Sequence, residues 1–312
     1  MTSSTPADGL VWHYTDAAGL LSITSNHVLW ATASGFLNDA LEVELGVTRM
    51  KEALEVKAAG SDDVVRRFIE ERLRSELMKP STASPTLFFI LSAAQHWDLL
   101  AMWRCYGGRG ESYAIGLDPH APLAVLTEPG VDVSPLTTGD GYVTHRPWAP
   151  VRYDLAEQRA LAEAVVEGLP AAYEAARARV ASGELDRADV LEAVQGTLDD
   201  LEQALFLIKH SGFHDEREVR YCTGIFDPDG SAYRQGVVRY RASAFGMAPY
   251  LHLTGAGEPG SVFTDRAAPL PIRAVAISPS PHGGRSAEPT RAMLAGNGYD
   301  VDVFASQIPF RA

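Results

Sequence analysis

Cysteine is scarce: Cys105 and Cys222 are the only two in 312 residues. Two thiols build neither a disulfide framework nor a cysteine-rich metal site. Both are expected as buried thiols in a reducing compartment. No apolar run reaches the roughly 18 residues that a membrane-spanning helix needs. Met1 to Gly9 is polar and lacks the basic and apolar stretches of a signal peptide, so a cytoplasmic protein is expected. Basic residues are outnumbered, 27 Lys and Arg against 40 Asp and Glu, for a formal net charge of −13. That balance disfavours duplex DNA, which is gripped through positive surface, and leaves room only for a local basic groove.

The familiar short motifs of catalysis are missing too. There is no G-x-x-x-x-G-K-[ST] phosphate loop, no G-x-S-x-G nucleophile elbow and no H-E-x-x-H zinc motif. No G-x-G-x-x-G follows a strand. Gly107-Gly108-Arg109-Gly110 trails a helix and reads as a flexible turn. Nine histidines are scattered. Only His210 and His214 have helical spacing, and Gly212 ends the helix between them, so no metal site is expected.

What remains is a composition that is 46% hydrophobic and 21% charged, enough to build a sizeable core. Short strands are expected at Leu10–His13, His27–Thr32, Leu87–Ser92, Ser112–Leu117, Glu218–Ile225, Val237–Tyr240, Ile272–Ser278 and Tyr299–Phe304. Asp16 is placed to cap a helix over Ala17–Ser25. Longer helices are expected over Ala40–Met78, restarting after Gly60–Asp63, and over Trp97–Tyr106 and Arg285–Gly298. Residues 155–208 are rich in Ala, Glu and Leu. Breaks at Gly168–Pro170 and Ser182-Gly183 divide them into about three helices. This stretch carries four Arg against eleven Asp and Glu, and a solvated face is its expected fate. Asp227-Pro228-Asp229-Gly230 is a turn signal that makes its two flanking strands a hairpin. Strands and helices mix without regular alternation, which predicts an α+β fold. One domain over 1–312, with a helical insertion at 155–208, accommodates all of this.

Four clusters stand out. Trp12-His13-Tyr14-Thr15 places polar groups at the end of an aromatic strand. Asn38-Asp39, with Glu42 in the following turn, is explained either as a helix cap or as part of a site. Trp103 and Tyr106 share a helix face, as core or as a ligand cage. Lys209-His210, Phe213 and Glu216-Arg217-Glu218-Val219-Arg220 form the last. On a strand, Glu216, Glu218 and Arg220 would point one way, either into solvent or into a polar cleft.

In this order the clusters resemble the bacterial family called domain of unknown function 2971. Its members show H-Y-T, N-D-x-x-E, W-x-x-Y-(small)-x-x-x-G, K-H-x-x-(aromatic)-x-x-E-x-E-x-R and S-x-I-P-(aromatic)-R. Here these are His13-Tyr14-Thr15, Asn38-Asp39 with Glu42, and Trp103 with Tyr106 and Gly110. Lys209-His210 with Phe213, Glu216, Glu218 and Arg220 follows, and then Ser306-Gln307-Ile308-Pro309-Phe310-Arg311. Where the family carries a serine-rich strand end, this chain has Leu91-Ser92-Ala93.

A more distant similarity links His13-Tyr14-Thr15 and Leu20–Ile23 to the opening of DarT-type DNA ADP-ribosyltransferases. The acidic strand at Glu216–Val219 is similar to their late catalytic strand. That resemblance implies a small mixed or split β-sheet flanked by helices, NAD as substrate, and a place in bacterial defence or stress. It implies Glu218 as the catalytic carboxylate and Glu216 as the base that activates the acceptor. His13 would bind a ribose hydroxyl or the amide, Tyr14 or Tyr106 would stack on nicotinamide, and Arg220 or Arg311 would meet the pyrophosphate. Thr15, Asn38, Asp39, Trp103, Lys209 and His210 complete the implied pocket. Two other readings stay open: a non-catalytic nucleotide-binding or interaction protein, and a hydrolase of nucleotides or nucleic acid.

Overall fold

The computed structural model describes residues 9–37, 42–57, 86–107, 110–186, 190–244, 246–257, 260–280 and 285–309. The chain divides into two compact units. The first comprises Met1–Ala33, Pro85–Pro150 and Asp215–Ala312, and the second Ser34–Ser84 and Val151–His214.

The first unit is built on a mixed sheet of twelve strands among the described residues. They are β1 (Val11–Asp16), β2 (Leu29–Ala33), β3 (Thr86–Ala94), β4 (Ser112–Leu117), β5 (Leu123–Leu126) and β6 (Tyr142–Pro150). The rest are β7 (Glu218–Phe226), β8 (Arg239–Ser243), β9 (Gly246–Gly255), β10 (Phe263–Thr264), β11 (Ile272–Ile277) and β12 (Asp302–Ala305). The fold is α+β, and the sheet is far from small. Its path runs β10-β5-β9-β2-β3-β1-β4-β11-β12, with β7 and then β6 branching from β3, and β8 pairing with β9. Only β5/β10 and β11/β12 are parallel.

One face of the sheet is apolar. Val11, Leu29, Ala31, Phe89, Leu91, Ile115, Val219, Tyr221, Leu251 and Val275 belong to a single buried cluster. These positions fall two apart along each strand, as the pleat requires. The opposite face carries Trp12, Tyr14, Ala94, Ala114, Ala274 and Ala276 at one end.

Between β1 and β2 runs α1 (Ala17–Asn26). Asp16 caps it by accepting from the Gly19 N–H at 2.7 Å, and His27 closes it in the left-handed region. A side chain at Gly19 would run into the Thr15 hydroxyl, so this residue lets the first turn of α1 sit directly on the end of β1.

The expected hairpin around Asp227–Gly230 does not form. The Asp227 carboxylate accepts from Ser231 N, Ser231 Oγ and Ala232 N at 2.7–2.9 Å, and these bonds start a short helical turn at Ser231–Arg234. β8 then pairs with β9 instead, ending at Ser243↔Gly246, while β7 lies between β3 and β6. Pro147 and Pro150 disguise β6 in the sequence. Prolines are tolerated there because β6 pairs on one side only. Cys222 is buried as expected, but Cys105 is exposed, on the outer side of the helix at Leu100–Tyr106.

The second unit is helical. It contains α2 (Glu42–Lys57), the 27-residue helix at Leu155–Ala181 and the helix at Val190–Leu205. So 155–208 does not stand alone: α2 shares its core, through Val47, Met50 and Leu54 against Val166, Leu169, Leu201 and Leu205. Gly46 brings the backbone of α2 against that of Leu205. The expected break at Gly168–Pro170 is absent, and Pro170 lies inside a continuous helix. A proline removes one backbone donor and strains one turn; burial of Ala162, Val166, Leu169 and Ala176 along one side outweighs that local penalty. The bond from Gln158 Nε2 to Lys209 O (2.8 Å) and a bridge between Arg152 and Ile208 close the unit.

Candidate functional site

The sheet of the first unit forks at β3. On one edge, β3 pairs with β7 along its whole length. On the other edge it pairs with β2 at Phe89 and Ile90, and with β1 only at Ala94, opposite Trp12. Leu91, Ser92 and Ala93 lie between these two attachments. The sheet is therefore two leaves joined at Trp12 and Ala94.

His13 stands at this fork. Its Nδ1 is 3.0 Å from the Ser92 carbonyl oxygen. A carbonyl only accepts, so Nδ1 carries the hydrogen. Burial lowers the imidazole pKa below its ordinary value, against the smaller opposing pull of that bond. The ring is thus neutral at pH 7, and Nε2 is left as an acceptor. The contact uses the Ser92 backbone, so the departure from a serine-rich strand end costs nothing at this point.

Tyr14, one residue on, is fully engaged. Its hydroxyl donates to His96 O at 2.9 Å and accepts from the Leu99 N–H at 3.1 Å. Its ring meets Trp103 edge-on, with centroids 4.6 Å apart. Trp103 Nε1 donates to Asp98 at 3.0 Å, and Asp98 also takes Ser306 Oγ at 2.5 Å and the Gln307 N–H at 3.0 Å. Phe304 packs edge-on against both Trp12 and Trp97. Tyr106 is partly buried against the same cluster. Three separate motifs of the sequence, H-Y-T, W-x-x-Y and S-x-I-P, therefore meet around Asp98. Here Tyr14 and Trp103 are buried and packed edge to face.

Glu218 and Arg220 share the face that carries Trp12, Ala94 and Ser92. Ala94 opposes Glu218 and Ser92 opposes Arg220. The two residues are 5% and 2% exposed and form a two-pronged ion pair, Nε to Oε1 and Nη2 to Oε2, each at 2.8 Å. A solvated sheet edge is excluded, because β7 is flanked on both sides. Glu216 is not on the strand, so the period of two does not reach it. It ends a 3-10 turn over Ser211–Glu216, and Arg217, in the left-handed region at φ 44°, reverses the chain before the strand begins. That backbone is costly for a side-chain-bearing residue, and the Arg217 carbonyl is held by the Gln95 N–H at 2.9 Å.

By alternation, His13 and Thr15 lie on the opposite face from Glu218 and Arg220. The link between the two sets is Ser92, whose carbonyl takes His13 and whose cross-strand partner is Arg220. Lys209 and His210 belong to the helical unit. The buried Lys209 ammonium lies 4.8 Å from the Phe213 ring centroid, and His210 Nδ1 accepts from the Gly212 N–H at 3.0 Å. His210 and His214 do not share a helix face. No cluster of three or more potential metal ligands occurs among the described residues. Asn38, Asp39 and Arg311 lie outside the described residues, as do Gly108 and Arg109.

Sequence reasoning missed a second group on the polar face of the sheet: Trp30 and Thr32 on β2, Arg239 and Arg241 on β8, and Tyr250 and His252 on β9. The spacing of Arg239-Tyr240-Arg241 is visible in the sequence, but its partners come from two other strands.

Residues 102–221, less than half of the chain, match the model of a family described as a protein of unknown function (DUF2971). The match takes in Trp103, Tyr106, Lys209, His210, Glu218 and Arg220, and it supports the resemblance to that family. No curated protein and no solved structure matches the chain. No helix among the described residues is long and apolar enough to cross a membrane.

Proposed function

We propose that this chain binds NAD at the fork of its sheet and transfers ADP-ribose from it to an acceptor. The observation that carries the reading is His13. Its Nδ1–H is spent on Ser92 O, so the neutral ring offers Nε2 to the hydroxyl of a ribose or the amide N–H of nicotinamide. A dinucleotide threaded through the fork meets His13 on one side and Glu218 on the other. Cleavage sends the electron pair of the nicotinamide–ribose bond to the ring nitrogen and releases neutral nicotinamide. It leaves an oxocarbenium-like ribose, which the acceptor attacks as it gives up its proton. A carboxylate beside that ribose would lower the barrier by about 3–4 kcal/mol, by analogy with preorganised electrostatic groups elsewhere. Arg220 holds Glu218 in one orientation through two charge-assisted bonds.

A second reading has a specific observation behind it. Both Glu218 oxygens already hold Arg220, so the pair serves equally as a structural brace in a protein that binds nucleotide without turnover. Calorimetric titration of NAD into the full chain, run beside an assay of nicotinamide release, separates the two. The transferase reading expects saturable binding that His13→Ala weakens about tenfold, the loss of roughly one hydrogen bond. It also expects nicotinamide release that Glu218→Gln abolishes while leaving binding intact. Binding without release in the unaltered protein supports the second reading. No binding at millimolar NAD overturns both.

A further inference from the structure

We infer that the polar face of β2, β8 and β9 is a binding site for a mononucleotide, with the base on Trp30 and the phosphate between Arg239 and Arg241. This group projects from the opposite face of the sheet to His13 and does not rest on the NAD reading.

The arginines carry the argument. Arg239 and Arg241 alternate on β8 and so project from the same face, roughly 7 Å apart along the strand. Two like charges side by side on a strand repel each other. Their only carboxylate partner among the described residues is Glu128, whose exposed side chain takes Arg239 Nη2 at 2.8 Å. Arg241 donates to Thr32 Oγ1 at 3.1 Å and pairs with no carboxylate among the described residues. The Nε atoms of both are buried and meet no acceptor. In a chain of net charge −13, this is a pocket of unbalanced positive charge with donors in excess. Phosphate fits that deficit, since its oxygens accept in the fork geometry that guanidinium presents.

The second observation is the aromatic shelf next to them. Trp30 is 47% exposed although it lies within β2. His252 stands almost parallel to it, 11° between planes at 6.3 Å, and Tyr250 lies 5.0 Å away. The Arg241 guanidinium is 5.6 Å from the Trp30 centroid. An exposed indole beside an arginine is the arrangement on which a nucleobase stacks while its phosphate is held. His252 stays neutral at pH 7, its pKa pushed down to about 4 by burial and then by Arg239, so it lines the shelf without adding charge.

The test is calorimetric titration of adenosine 5′-monophosphate into the full chain. Saturable binding is expected, with adenosine alone and inorganic phosphate alone each at least tenfold weaker. Arg241→Gln and Trp30→Ala should each weaken the mononucleotide at least tenfold. Arg241→Lys, which keeps the charge and loses the fork, should fall between. His13→Ala should leave this affinity unchanged. Melting temperatures of the variants check that the fold survives. A second readout, quenching of indole fluorescence by the mononucleotide, should be largely lost in Trp30→Phe. No saturable binding at millimolar ligand overturns the inference. So does affinity that ignores both Arg241→Gln and Trp30→Ala, and so does loss of binding in His13→Ala, which would move the ligand to the fork.

Discussion

Two strands of this protein each carry charged side chains at alternate positions, and they use them in opposite ways. On β7, Glu218 and Arg220 neutralise each other through two bonds, buried on a strand flanked on both sides. On β8, Arg239 and Arg241 have like charge and, among the described residues, a single exposed carboxylate between them. The same period of two thus gives a closed pair in one place and an open one in the other. The difference lies in the sign of the partner and in burial. A buried charge must be paired where it stands, whereas a partly exposed one can wait for a ligand.

The sharpest test of the contrast is to remove one arginine from each strand. Arg220→Met takes away both bonds to buried Glu218 and should cost about 3–5 kcal/mol, read as a lower denaturant midpoint. Arg241→Met removes a repulsion along with one bond to Thr32, and should cost less than about 1 kcal/mol. Equal losses at the two sites would break the comparison.

The closed style extends to Tyr14, whose hydroxyl both donates and accepts. Tyr14→Phe leaves His96 O without its donor and Leu99 N–H without its acceptor, at about 1–3 kcal/mol by the same denaturation measurement.

A pH-dependent effect concerns His252, in the open region. Its folded pKa, about 4, lies below the ordinary imidazole value of 6.5. The unfolded chain therefore takes up this proton first as pH falls. The stability associated with the neutral ring is present above about pH 6.5 and is lost as pH drops toward 4. The ring is partly exposed, so screening reduces the effect to about 1 kcal/mol. His252→Gln should flatten that part of the stability-versus-pH curve by this amount.

Much of the fold was legible from local pattern. Ser112–Leu117 was read with its observed bounds, and Asp16 as the cap of α1, because alternation and capping act over a few residues. Other features were hidden. β6 and β9 contain prolines and glycines that read as loop, yet their pairing lies where a missing donor is tolerated. Pro249 stands where β9 pairs on one side only. Glu216 looked co-facial with Glu218 by counting, and a single left-handed residue, Arg217, broke the count. For the candidate site, His13, Glu218 and Arg220 were legible from residue type and order. Asp98 was not, because an aspartate before a helix looks like any cap until Trp103 and Ser306 both reach it.

The mixture of strands and helices, the apolar period along each strand, and the ordered motifs by which the chain resembles DUF2971 are all legible in the sequence. Those follow from interactions between residues near each other in the chain. Long-range packing alone sets β1 and β2 on one edge of β3, buries Glu218 and Arg220 rather than leaving them solvated, and brings Trp30 to Arg241. Each of these depends on which strands become neighbours. That choice is set by burying the apolar face as a whole, and no local pattern encodes it.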